Sequence, residues 1–225
     1  MSGVTTTILL ARHGESDWNR AGRWQGFSDR PLTELGREQA RDLAERLRSF
    51  ELDAIYSSDL ERARVTAEAV AATKGLDVVT TPELREVNVG SWEGLTRDEA
   101  RTRYPDEFRA WENGGVGWHD GETYVAMSAR VLAAIRAIGE RHDGGRVLVV
   151  AHGGPIRAIH AEALGIDVET YRRLRAVEPN ARLCAVCIEG GALSELCAAD
   201  RIDELLARDQ EKRRAAAEQP PTPAG

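Results

Sequence analysis

Residues 146–153 read Arg146-Val147-Leu148-Val149-Val150-Ala151-His152-Gly153. Apolar residues follow one another here without polar alternation, which predicts a strand covered on both faces, as in a parallel sheet lined by helices. The His-Gly pair then falls at the carboxyl edge of that strand, where open α/β sheets bind their ligands. Gly154-Pro155 predicts a helix with proline near its first turn. A second copy of the pattern stands near the start of the chain: Thr7–Ala11 predicts a buried strand, followed by Arg12-His13-Gly14. Two of the five histidines therefore occupy matching strand ends, and convergence on one pocket is the expected consequence.

Outward from these strands, short apolar runs alternate with helical patterns. Leu35, Ala40, Leu43, Leu47 and Phe50 keep a helical period after Thr33, an N-cap candidate. Ala54–Tyr56 and Leu76–Val79 predict two more strands. Between them, Ser58-Asp59-Leu60-Glu61 has the form of a capping box and predicts a helix running to about Lys74. Residues 82–120, rich in glycine and holding Trp92, Trp111 and Trp118, predict a cap with short helical pieces at Arg97–Tyr104 and Pro105–Trp111. A long helix is expected over Glu122–Arg141, and a hairpin around Gly190-Gly191 joining Arg182–Ile188 to Ala192–Leu196. The fold expected is a three-layer α/β/α domain with a mostly parallel sheet and a small helical and loop cap. It is expected to span residues 1–199, with 200–225 a charged helix ending in a disordered Pro-rich tip.

Composition narrows the function. A net charge of −7 disfavours nucleic acid and anionic lipid as partners, so any phosphate must meet a local positive pocket. No apolar run reaches the length of a membrane span, and the cytoplasm is the expected location. Oligomeric state stays open, with a homodimer one assembly considered. Cys184 and Cys187 form a lone C-x-x-C in an apolar stretch and read as buried strand cysteines. No cluster has metal-ligand spacing, and neither metal nor cofactor is expected. All but two of the 30 basic residues are arginine, the exceptions being Lys74 and Lys212, so arginine near a given site says little by itself. Arg62 does stand out, because a cation in the first turn of a helix is mildly unfavourable unless an anion lies beside it. The helix starts at 58–60 and 154–156 would offer free N–H groups to such an anion, and Gly14 would let the chain turn so that Arg12 and His13 face one site. His119 sits in a loop; His142 and His160 fall on helices and read as surface or packing residues. The tryptophans divide between core packing and an aromatic-lined cleft.

These residues resemble a known family. Arg12–Asn19 (RHGESDWN) is similar to the Arg-His-Gly motif of the histidine phosphatase, or phosphoglycerate mutase-like, superfamily. WQGFSDRPLTELG (Trp24–Gly36), SSDLERARVTAEA (Ser57–Ala69), LREVNVGSWEG (Leu84–Gly94) and VAHGGPIR (Val150–Arg157) resemble further family segments in family order. The resemblance implies that His13 is the nucleophile. It also implies that Arg12, Arg62 and His152 hold the transferring phosphate, that Asn19, Gln25 and the Gly153 backbone assist, and that Glu86 is the proton donor. Neutral imidazole is a competent nucleophile near neutral pH, and guanidinium forks suit a transferring phosphoryl group. The implied activity is metal-independent hydrolysis of small phosphate esters through a phosphohistidine. The alternatives are a 2,3-bisphosphoglycerate-dependent mutase and a non-catalytic phosphate-binding domain. Against the mutase, Val87–Leu95 carries no Lys or Arg, Glu93 adds negative charge, and Gly90 and Gly94 are expected to leave that segment loose and wettable.

Overall fold

The computed structural model describes residues 5–197 and 201–217. Its strands are Thr6–Arg12 (β1), Ala54–Ser58 (β2), Val78–Thr81 (β3), Arg146–Ala151 (β4), Leu183–Glu189 (β5) and Ala192–Cys197 (β6). They form one sheet in the order β3-β2-β4-β1-β5-β6. The first four in that order are parallel, while β5 and β6 run antiparallel at one end. The described helices are Asp17–Arg20 (α1), Glu34–Arg46 (α2), Glu61–Lys74 (α3), Arg97–Arg103 (α4), Pro105–Glu112 (α5), Tyr124–Arg141 (α6), Gly153–Ala163 (α7), Val168–Leu174 (α8) and Ile202–Ala217 (α9).

Strand alternation divides the core in two. Ile8 and Leu10, with Val147, Val149 and Ala151, pack on Met127, Val131 and Ile135 of α6, Ile156 and Ile159 of α7, and the cap. Leu9, Ala11, Leu148 and Val150 face the other way, against Leu43 of α2, Ala67 and Val70 of α3, and Ile202 and Leu206 of α9. Both faces of β4 are thus buried, as its unbroken apolar run requires, and each fully buried aliphatic side chain contributes about 1.5–3 kcal/mol. This three-layer arrangement is the expected one.

Several local expectations change. The helix after β2 is not capped by Ser58: it begins at Glu61, its N-cap Leu60 supplies no side-chain bond, and Ser58 remains in β2 paired with Thr81. The third strand covers Val78–Thr81 rather than Leu76–Val79, and the short helices α1 and α8 had no counterpart in the sequence reading. Cys184 and Cys187 lie three residues apart on β5, an odd spacing that sends them to opposite faces; Cys184 is buried and Cys187 half-buried. The Pro-rich tip, 219–225, lies outside the described residues.

The segment Val87–Leu95 is not loose. Trp92 is fully buried and stacks on Phe108 at 5.7 Å, and the backbone is tied to Trp24 on both sides, Trp24 N to Leu95 O at 2.8 Å and Gly94 N to Trp24 O at 2.9 Å. Most of the tryptophans therefore form the cap's own core. Gly90 and Gly94 serve left-handed turns, at φ 47° and 80°.

Candidate active site

Register decides where the two strand-end histidines meet. Arg12 of β1 pairs with Ala151 of β4, and His13 N continues the ladder to Ala151 O at 3.0 Å. His13 and His152 therefore leave adjacent strands side by side, with ring centroids 5.0 Å apart. Gly14 serves a close approach and has no positive φ: a Cβ there would lie 2.3 Å from Gly36 O, so α2 passes directly over the loop.

The His13 ring is oriented by its own loop. Nδ1 lies 2.7 Å from Gly14 O, and since a carbonyl can only accept, Nδ1 carries the proton and Nε2 keeps a lone pair. Burial, then Arg62 and Arg12, hold the His13 pKa well below its ordinary value; burial, Arg62 and His13 do the same to His152. Both rings are therefore neutral at neutral pH.

Arg62 is completely buried. It donates to Ser28 O at 2.8 Å and Gly26 O at 3.0 Å, and burial lowers its pKa to about 10, which leaves it charged. Glu93 holds the loop carrying those carbonyls, through Phe27 N at 2.6 Å and Ser28 Oγ at 2.5 Å. Glu93 thus braces the floor, and its charge acts on Arg62 across the loop. Arg12 donates to Glu178 O at 2.7 Å. Even so, Arg12 Nε, Arg62 Nε and both ring nitrogens of His152 are buried without partners. Buried polar groups of this kind are rarely left unpaired unless a ligand completes them.

A cavity of about 260 Å³ collects Arg12, His13, Asn19, Gln25, Arg62, Glu86 and Gly153 on its walls; His152 is fully buried behind them. Asn19 Oδ1 accepts from Ser16 N and Asn180 Nδ2, and Ser16 Oγ lies 2.7 Å from Gln25 Oε1. With those oxygens occupied, the NH₂ groups of Asn19 and Gln25 are left as donors. Glu86 closes the far side, its Oε1 accepting from Gly154 N at 3.0 Å and Val87 N at 2.9 Å. Neither expected helix start offers free N–H groups throughout: Glu86 occupies Gly154 N, and Asp29 occupies Glu61 N at 2.7 Å.

Several positions around the cavity had escaped the sequence reading. Arg130 grips the backbone around Glu86, donating to Glu83 O, Arg85 O and Glu86 O at 2.7–2.8 Å, and is itself paired with Glu122. Asn180 holds His13 O at 3.0 Å, next to Ala181 in the left-handed region at φ 55°. Tyr124 and Arg157 line the cavity. Only Arg157 carried a local signal, lying one helical turn beyond Gly153 and Gly154 on the same face. His119 instead faces solvent, paired with Glu107. Among the described residues no group of three or more His, Cys, Asp or Glu could hold a metal ion, and no helix is long and apolar enough to cross a membrane.

The model of the histidine phosphatase superfamily (branch 1) matches residues 8–200. Phosphoserine phosphatase 1 of Hydrogenobacter thermophilus is 37% identical over 166 residues, 73% of this chain and 79% of the relative. A probable phosphoglycerate mutase, GpmB, of Yersinia pestis is 38% identical over 170 residues, 75% of this chain and 79% of the relative. Among solved structures, YhfR of Bacillus stearothermophilus superposes with a TM-score of 0.81 at 33% identity, covering 86% of this chain and 96% of that one.

Proposed function

The chain belongs to the histidine phosphatase superfamily, and we propose that within it His13 accepts the phosphoryl group, Arg12, Arg62 and His152 stabilise its oxygens, and Glu86 carries the proton. The enzyme is a phosphatase of small organic phosphate esters. The observation that carries the assignment of roles is the His13 ring, buried, neutral and proton-fixed at Nδ1, beside buried Arg62 and half-buried Arg12, each with a buried Nε left unspent.

In the first step Nε2 attacks phosphorus as the ester P–O bond breaks, and the leaving oxygen takes its proton from Glu86. In the second, water attacks the phosphohistidine, gives its proton to Glu86, and releases inorganic phosphate with neutral His13 restored. Protein donors do most of this work, because phosphoryl transfer needs charge stabilisation above all. Asn19, Gln25 and the Gly153 backbone would steady the non-bridging oxygens. No step draws on a metal. We propose a cytoplasmic enzyme without nucleic-acid partners, in keeping with its net charge of −7.

The mutase reading is supported by likenesses such as that to the Yersinia protein. A mutase must hold a second anionic group, and the cation-poor segment Val87–Leu95 does not describe the mouth, since Arg97 and Arg157 reach it from elsewhere. Phosphate release from a panel of monoesters, including phosphoserine and 3-phosphoglycerate, is therefore measured in EDTA beside a coupled mutase assay with 2,3-bisphosphoglycerate. Phosphate release is expected to dominate and to survive chelation. Mutase turnover tenfold above release would reverse the reading.

A further inference from the structure

Beyond the phosphate pocket lies a second cavity of about 680 Å³, continuous with it in that Trp24, Arg97, Tyr124, Arg157 and Val177 line both. Arg172 and Arg173 from α8 join its wall, and Glu112 is the one carboxylate there. Glu112 is already engaged by Arg97 at 3.4 Å and Arg101 at 3.8 Å. The cavity therefore concentrates positive charge in a protein whose net charge is −7.

Two of these arginines are held half-buried with donors to spare. Arg157 donates from one Nη to Arg175 O at 2.8 Å, and its Nε is buried without a partner. Arg172 lies over the Tyr124 ring at 4.4 Å and 5.6 Å from the Trp111 ring, reaches only Gly115 O at 3.3 Å, and likewise keeps a buried, unpartnered Nε. Among the described residues neither is in an ion pair. Tyr124 hydroxyl accepts from Trp111 Nε1 at 3.3 Å and keeps its own proton to donate. Aromatic rings thus fix Arg172, and beside it Arg157 feels the Glu86 carboxylate only across space, next to the pocket where an ester would leave its organic half. Guanidinium forks suit carboxylate and phosphate oxygens.

We propose that this second cavity selects phosphate esters bearing a second anionic group, a carboxylate or a further phosphate, which Arg157 and Arg172 receive. The inference rests on the reading of the His13 pocket as the site of the scissile phosphate. It names the substrate class: a compact ester with negative charge at both ends, its middle lying along Tyr124 and Trp24.

The test uses matched esters. 3-Phosphoglycerate is compared with glycerol 3-phosphate, which replaces the carboxylate by a hydroxymethyl group, and fructose 1,6-bisphosphate with fructose 6-phosphate. The wild-type kcat/KM should favour the doubly anionic member of at least one pair by about tenfold or more, and the pair that responds identifies the second group. Arg157→Gln and Arg172→Gln should each shrink that ratio to within about threefold, while Arg172→Lys, which keeps the charge, should retain more of it than Arg172→Gln. The same ligands are titrated calorimetrically into His13→Ala, so the preference is read even without turnover. Absence of hydrolysis together with an intact binding preference would sink the catalytic reading and leave the second subsite standing. Equal constants within both pairs, or a preference that survives both Gln variants, would overturn the subsite.

Discussion

Arg62 on the floor of the pocket and Arg172 on its rim each keep a buried, unpartnered Nε, yet they are held in opposite ways. Arg62 is fully buried and fixed by two backbone carbonyls, themselves braced by Glu93. Arg172 is half-buried, rests on aromatic faces and makes one long hydrogen bond. Backbone carbonyls in a packed loop set a guanidinium to a narrow geometry, which a transition state of fixed shape requires. Aromatic faces leave the plane of the group freer to slide, which suits an organic moiety of less certain shape. On the proposed roles, chemistry would belong to the floor and selection to the rim.

That contrast can be broken most directly at His13. His13→Ala should reduce turnover of every ester by roughly 10⁴–10⁶-fold, the scale on which an essential nucleophile is lost. It should also abolish an acid-labile, alkali-stable phosphoenzyme that maps to His13 in the wild type. An adduct on a serine, cysteine or aspartate would overturn the mechanism.

Glu86→Gln comes next. The amide oxygen can still accept from Gly154 N and Val87 N, so the seat survives while the transferable proton is lost. Turnover of alkyl phosphates should fall by about 10²–10⁴-fold. Phosphoenzyme formation from 4-nitrophenyl phosphate, whose leaving group needs little protonation, should fall much less. Equal losses for both substrates would make Glu86 a binding residue.

The smallest expected effect concerns stability. His13 and His152 stay neutral in the folded protein well below their ordinary pKa, whereas the unfolded chain protonates them near pH 6.5. Below that pH the unfolded state binds protons that the folded state refuses. Stability is therefore full above about pH 6.5 and declines on acidification, by up to about 1.4 kcal/mol per pH unit for each histidine. Denaturant midpoints between pH 7.5 and 5.5 should fall accordingly. Inorganic phosphate should restore more at the lower pH, since a bound anion favours the imidazolium. A flat profile would show that solvent reaches both rings.

The helices show why some signals were legible and others not. The Thr33 cap of α2 was readable because it accepts from Gly36 N, three residues on, whereas α3 takes its carboxylate from Asp29, 32 residues upstream of Glu61. Ser58 had the right local pattern, but its backbone was already committed to the sheet. Competition between a local cap and a ladder pairing is invisible in a short window of sequence.

The sequence by itself determined the strands, the three-layer plan and the residues of the floor. Unbroken apolar runs can only be buried on both faces, and a His-Gly pair after each of two such runs marks one sheet edge. The tertiary structure alone decided that Arg12 pairs with Ala151, which sets the two histidines side by side, and that Glu86 occupies the start of α7. It also decided that Arg130 holds the acid loop and that Arg157 and Arg172 share a second cavity. Those relations join residues far apart in the chain through backbone carbonyls and packed rings, and every residue type offers the same carbonyl, so composition and spacing leave no trace of which one an arginine will reach.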